Sequence, residues 1–185
     1  MVNSVKTSSL LTGSNVLLRI PEPADIDILY NWENDSSVWR VSTTIVPFSR
    51  FQIEQYVLNS QHDIFSDRQL RLMVDLNIVQ KNKKPVGCVD LFDFDPLHMH
   101  AGVGVMIISE ERGKGYAAEA ISLVTRYCFD ILNLHQLFCN ISTGNEASIR
   151  LFTKLGFIQC GVKKEWRMQD HQWVDEIMFQ LIWNE

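Results

Sequence analysis

Hydrophobic and polar positions change their period along this chain, and the changes divide it into elements. Val16 to Ile20 reads as a strand; Pro21 and Pro23 then break the chain, and Ala24 to Glu33 places Ile26, Leu29 and Tyr30 at helical spacing. A second helix is predicted over Ser49 to Asn59, where Phe51, Tyr56 and Val57 follow the polar cap residue Ser49. From Leu70 to Ile108 the texture turns to β. Strands Leu70 to Val79, Pro85 to Phe94 and Ala101 to Ile108 are separated by KNKK and DPLHMH and read as consecutive hairpins.

Gly115 to Ile131 returns to the helical period, with apolar residues at 117, 120, 121, 124, 128 and 131, the stripe of a helix lying on a sheet. Leu137 to Ile141 is the next strand. Asn145 to Leu155 follows as a helix capped by Asn145, with Ile149, Phe152 and Leu155 on one face and Gly156 where a left-handed C-terminal cap is needed. Strands near Phe157 to Lys164 and Trp173 to Trp183 close the pattern. There is no internal repeat and no linker, so residues 1–185 are expected to form one α/β domain, a mixed, mostly antiparallel sheet flanked by helices. At 185 residues and 46% hydrophobic content, such a chain can bury a core of ordinary size.

A formal charge of -5 without any Lys/Arg block argues against nucleic acid and anionic membrane surfaces as partners and suits a cationic substrate. Mild acidity also serves solubility alone. Cys88, Cys128, Cys139 and Cys160 are widely spaced inside apolar runs, which predicts buried thiols; neither a disulfide framework nor a metal site is expected. MVNSVKTSSLLTGSN lacks the features of a signal peptide and no segment has the length of a membrane span, so a reducing cytoplasm is the expected compartment.

The stretch EERGKGYAAEA, Glu110 to Ala120, puts two glycines at the junction of a strand and a helix. The first amides of a helix are unpaired and its dipole is positive there, so this turn is suited to an anion. Gly113 and Gly115 let the main chain approach a phosphate without an intervening Cβ, and Arg112 and Lys114 add charge. A diphosphate is the natural guest. The mononucleotide P-loop, GxxxxGK[ST], does not fit, because a single residue separates the glycines and Tyr116 follows. GKGYAA satisfies a relaxed dinucleotide pattern, but the next strand ends in NISTG with no carboxylate, and the preceding strands are hairpin-linked.

Farther along comes NEASIRLFTKLGF, Asn145 to Phe157. ERGKGYA, a helix, a strand and this second motif together resemble the GCN5-related N-acetyltransferases, and the resemblance covers almost the whole chain. Within that superfamily, LLRIPEPADIDILYNWENDSSVWR and GCVDLFDFDPLHMHAGVGVMI are similar to the branch containing spermidine and ribosomal-protein N-acetyltransferases. The resemblance implies acetyl-CoA as co-substrate, with Arg112, Gly113, Lys114, Gly115, Tyr116 and Ala117 around its diphosphate. It also implies that the main chain at Met106 and Ile107 pairs with pantetheine like an added strand, and that Asn145 and Lys154 lie beside the cofactor. The bland readings stay open beside these: Asn145 as a helix cap, Lys154 as a charge suited to a helix C-terminus, Tyr116 as packing.

Acetylation of an amine poses a protonation problem. An alkylamine with a pKa of about 10.4 is neutral in only about one molecule in 10³ at pH 7, so a base must help it. Asp90, Asp93 and Asp95 alternate with Leu91, Phe92 and Phe94, and in a strand ending at Pro96 this predicts the odd-numbered carboxylates, Asp93 and Asp95, on one face as a cation site. By resemblance Asp93 matches a glutamate, and His98 a histidine, of polyamine-acetylating relatives; a solvated turn with an idle histidine is the alternative. The chain also departs from the family. Phe152 stands where many members have a tyrosine that protonates the departing thiolate, and Ser148, or water held by it, is the substitute the resemblance offers. A thiol with a pKa of about 8.5 is a tolerable leaving group without such an acid. Gly102 replaces a glutamate of the spermidine enzymes, and their acidic pair after the first helix corresponds to Thr44 and Ile45. The expected acceptor is a small primary amine, a polyamine foremost, with a protein N-terminus second. A catalytically silent acyl-CoA-binding protein and a nicotinamide enzyme are the readings from other classes, and a homo-oligomer is compatible with all of them.

Overall fold

The computed structural model describes residues 10–39, 46–59, 63–77 and 84–183. Thr44 and Ile45, and residues 78–79 of the strand expected to end at Val79, lie outside the described residues. The strands are β1 (Val16–Arg19), β2 (Leu70–Leu76), β3 (Pro85–Asp95), β4 (His100–Ile107), β5 (Gln136–Ser142), β6 (Ile158–Gln169) and β7 (Gln172–Ile182). The helices are α1 (Ile26–Glu33), α2 (Ser36–Trp39), α3 (Arg50–Asn59), α4 (Ile64–Asp67), α5 (Tyr116–Asp130) and α6 (Glu146–Lys154). Among the described residues the strands form one sheet in the order β1-β2-β3-β4-β5-β7-β6, and every neighbouring pair is antiparallel except β4 with β5.

The amphipathic stripe of α5 explains the main core. Ala120, Ile121, Val124 and Cys128 are buried against Leu72, Val74, Leu91, Val103, Leu137 and Ile141 of the sheet. Each large aliphatic side chain fully buried in this way contributes roughly 1.5–3 kcal/mol. Phe152 of α6 belongs to the same cluster, its ring edge-on to Phe157 at 5.0 Å. The opposite face carries a smaller cluster in which Leu29 of α1 and Ile53 and Val57 of α3 enclose Met73. The middle of strand β2 is therefore apolar on both sides, which is why Leu72, Met73 and Val74 read as a continuous run rather than an alternation.

Local signals behave as their chemistry requires. The Ser49 hydroxyl accepts from the Gln52 amide at 3.2 Å while the Gln52 side chain accepts from the Ser49 amide at 2.8 Å, a reciprocal cap on α3. The Asn145 side chain accepts from the Ser148 amide at 3.1 Å, and Gly156 takes φ +89° after α6. Strand β6 runs on to Gln169, past the expected end at Lys164, because a long hairpin with β7 continues through two irregularities of register.

One expectation about the cysteines is corrected. Cys88, Cys128 and Cys139 are buried, but Cys160 is exposed, since β6 is the edge strand and the ladder is irregular between Gln159 and Gly161. Burial pushes the thiols of Cys128 and Cys139 up to about 12, and burial followed by the nearby Asp90 carboxylate raises that of Cys88 as well. A disulfide reagent added to the native protein is therefore expected to label Cys160 fast and the other thiols only after denaturation. Fast labelling of Cys88, Cys128 or Cys139, read by mass spectrometry, would contradict this packing.

Candidate active site

Strand β4 pairs along its length with β3, through Met106 opposite Cys88 and Ile107 opposite Gly87, but with β5 only at His100–Gln136, Ala101–Leu137 and Gly102–Phe138. From Val103 to Ile107 the β5 side of the strand has no ladder partner among the described residues. This opens a wedge in the sheet, closed at Gly102 and Phe138 and leading toward the turn before α5. Buried main-chain groups are nearly always paired, so an open edge inside a sheet is a place for a guest that can bond like a strand.

At the wide end stands the glycine turn. Gly113 has φ +78° and Gly115 φ +87°, and a Cβ built on either glycine meets nothing within 4 Å. The glycines are needed for the left-handed backbone rather than for internal packing, and the space before them is open. Gly115 is the N-cap of α5 and no side chain caps that helix, so its first amides remain for an outside acceptor. Glu111 is buried and accepts from Lys84 at 2.8 Å and Lys114 at 2.7 Å, which holds its carboxyl below the usual range and raises Lys114. Arg112 donates through Nε to the Ile107 carbonyl at 2.9 Å. Both cations of the turn thus brace the loop, and the main-chain amides stand foremost for an anion. Tyr116 and Ala117 begin α5 half-buried against the main core.

This combination of an interrupted parallel ladder and a bare-backbone turn leading into a helix agrees with a match of residues 15–158 to the family model of the acetyltransferase (GNAT) domain. The chain belongs to the GNAT N-acetyltransferases. Spermidine N(1)-acetyltransferase of Vibrio cholerae is 26% identical over 153 residues, 80% of this chain and 82% of the relative. The Escherichia coli enzyme of that name is 30% identical over 146 residues, 79% of this chain and 74% of the relative. The crystal structure of spermidine N-acetyltransferase from Vibrio cholerae in complex with CoA and spermine shares the fold, with a TM-score of 0.82 at 23% identity over 92% of this chain and 96% of that one. As a GNAT enzyme the protein uses acetyl-CoA as its acetyl donor. Among the described residues no group of three or more His, Cys, Asp or Glu side chains is arranged to hold a metal ion, and no helix is long and apolar enough to cross a membrane.

Within this GNAT domain the acidic hairpin differs from its expected form. Asp93 and Asp95 do not share a face. The β3–β4 register shifts between Phe92 and Asp95, and Asp93 takes φ +48°. This bulge inserts one residue, so Leu91 and Phe94, three apart, both point into the main core. The three carboxylates then meet different fates. Asp90 forms a two-pronged pair with Arg71 at 2.6 and 2.9 Å. Asp95 caps the turn by accepting from the Leu97 and His98 amides at 2.8 Å each, which lowers its pKa. Asp93 is exposed and, among the described residues, engaged by no hydrogen bond or ion pair.

His98 is exposed and stacks on His100 with ring centroids 6.4 Å apart. The ring of Phe92 lies over Gly102, where an added Cβ would come within 2.2 Å of it, so an aromatic side chain fills the space beside this glycine. In the second motif, Ser148 is half-buried in the first turn of α6 and Lys154 is exposed at its end.

Two groups at the site escaped the sequence reading. Arg71 bridges Asp90 to Glu33 of α1, and its guanidinium lies 5.5 Å from the Tyr56 ring centroid; burial and the neighbouring charges push the Tyr56 hydroxyl up to about 12. An arginine beside the apolar run Leu72 to Val74 was the available signal. The other is the even-numbered side of β5 and β7, where Gln136, Asn140, Glu176 and Gln180 set polar groups among Phe138, Met178 and Ile182, and Glu176 pairs with Lys163 at 3.0 Å. Its signal was the alternation of these residues with Leu137, Cys139, Ile141 and Phe179.

Proposed function

We propose that this chain, acting as one domain over its whole length, moves the acetyl group of acetyl-CoA to a primary amine of the polyamine class. The observation that carries the reading is the β4 edge, open from Val103 to Ile107 and ending at a glycine turn with an uncapped helix behind it. In this reading the amides from Arg112 to Ala117 hold the diphosphate, and the main chain at Met106 and Ile107 pairs with pantetheine. Asn145 and Lys154 border the cofactor from α6, Asn145 chiefly by fixing the start of that helix. Asp93, the one uncommitted carboxylate of the hairpin, attracts the ammonium group, His98 exchanges protons with solvent, and Ser148 orders water near the sulfur. The two spermidine enzymes similar to this chain support the choice of amine.

The test is release of free thiol from acetyl-CoA by the purified protein with a panel of diamines, polyamines and aminoglycosides, in a Cys160→Ser background that removes the exposed thiol. Spermidine or a related polyamine is expected to lead the panel. Silence across it, with acetyl-CoA still bound, would turn the reading into that of an acyl-CoA-binding protein.

A second acceptor is favoured by the charge balance of the site. Arg71 neutralises part of Glu33 and Asp90, Lys163 offsets Glu176, and Gly102 offers no carboxylate, so the site is less acidic than a polyamine alone would call for. A peptide N-terminus suits that balance, and peptides turned over faster than spermidine would decide for it. The reaction is assigned to the cytoplasm, a choice the free thiols support. A homo-oligomer is supported by the apolar edge hairpin, with Ile158 exposed at 74% and Trp166 and Trp173 each at 59%.

A further inference from the structure

Among the described residues, a single buried side-chain nitrogen or oxygen lacks a hydrogen-bond partner: Nδ1 of His100. Leaving such an atom alone costs roughly 1–3 kcal/mol, so it marks a place where a guest or a water belongs. His100 opens β4, opposite Asp95 in β3 and Gln136 in β5. Two residues on, the β4–β5 ladder makes its last pair, Gly102 with Phe138, where the wedge closes. Side chains two apart share a strand face, so the imidazole stands on the Gly102 side, roughly 7 Å along the strand from the closure. Ring contacts agree. His100 meets Phe138 edge-on at 6.0 Å, and Phe138 meets Phe92, the ring over Gly102, at 5.8 Å. An acetyl thioester drawn down the open edge would stop on the same strand face roughly 7 Å short of this group, which leaves the attacking amine nitrogen to lie between the two.

We propose that Nδ1 of His100 accepts the proton of the attacking amine, a role that rests on the acetyl-transfer reading above. The alkylammonium gives one proton to Nδ1, and the freed nitrogen forms the C–N bond as the C–S bond breaks. The second nitrogen proton goes to the departing sulfur, leaving the free thiol. The imidazolium returns the first proton to solvent by way of water on the side of exposed His98, whose ring centroid is 6.4 Å away. The titratable groups facing the imidazole are His98 and Asp95, the latter committed to the Leu97 and His98 amides. Strand β5 presents the neutral Gln136 and Phe138, and β7 the neutral Gln180, bonded to Gln136 at 2.8 Å. Arg68 reaches the same hairpin through the Phe94 carbonyl.

The test compares wild type with His100→Asn, which keeps an acceptor atom but cannot hold a proton, and His100→Phe, which keeps only a ring. With acetyl-CoA saturating, kcat/KM for the amine is followed from about pH 6 to about pH 10. Both variants are expected to lose about 10²-fold or more near neutrality and to converge on wild type as pH approaches the amine's own pKa, about 10.4, where neutral amine is abundant. The KM for acetyl-CoA and the thermal midpoint stay put. An unchanged rate, a loss of equal size at every pH, a weakened acetyl-CoA KM or a fall in midpoint that accounts for the loss would overturn the proposal. If the wild-type protein releases no thiol with any amine, the acetyl-transfer reading fails instead. NMR then judges His100 separately: spermidine or a peptide added to the CoA-bound protein must shift the His100 ring signals, and unshifted signals overturn its contact with the amine.

Discussion

Replacing Gly115 by valine is expected to weaken acetyl-CoA binding by about 10²-fold or more while leaving a folded protein. Gly115 holds φ +87°, a left-handed conformation that strains a β-branched residue by roughly 1–3 kcal/mol. That cost falls on stability, and it is survivable because no atom lies within 4 Å of the new Cβ. Binding suffers more. The same open space is the approach to the first amides of α5, and a branched side chain there keeps a diphosphate at a distance. Hydrogen bonds to a charged acceptor contribute roughly 1.5–3 kcal/mol each, and about 2.7 kcal/mol is a hundredfold in affinity. Calorimetric titration with acetyl-CoA, paired with a melting curve, separates the two effects. Wild-type affinity in a folded Gly115→Val protein would remove the glycine turn from the cofactor site.

Truncating Arg71 to alanine should lower the thermal midpoint by about 10 °C. The guanidinium is largely buried between Glu33 and the more exposed Asp90 and lies against Tyr56, so the cost sits at the lower end of that for a fully buried pair. Its removal leaves two carboxylates facing each other in a poorly solvated pocket, and breaking a buried pair in this way costs roughly 3–5 kcal/mol. For a chain of this length each kcal/mol moves the midpoint by about 2–4 °C. The carboxyls of the variant have their pKa values raised by their mutual repulsion, so protonation relieves the damage and the deficit shrinks as pH falls toward about 4. Melting curves at neutral and mildly acidic pH measure both parts. A deficit that is small, or that does not change with pH, would mean water reaches the cluster freely.

The sequence carried most of the architecture because burial imposes its period on the chain. The stripe on α5, the cap at Asn145 and the left-handed Gly156 are local requirements, satisfied by residue types that advertise them. The hairpin at Asp93 was opaque for the opposite reason. Phe92 to Asp95 alternates apolar and acidic residues like an ordinary strand, and a bulge that reverses the parity of a strand is decided by what Leu91 and Phe94 must both reach, not by the residue inserted between them. His100 was unreadable on the same grounds. Histidines lie on both sides of Met99, and which one has an orphaned nitrogen depends on the packing of Phe138, a residue from another strand. Arg71 could have been noticed, but its two carboxylate partners come from different elements of the chain.

The closure of the parallel ladder at Gly102 and Phe138 also bears on which acyl donors the enzyme tolerates. A gate built from a side chain can swing aside or be trimmed by mutation, whereas main-chain pairing between two strands is a fixed stop. The protein would then gauge the length of the acyl tail against its own backbone, and widening that preference would require re-registering two strands rather than exchanging one residue.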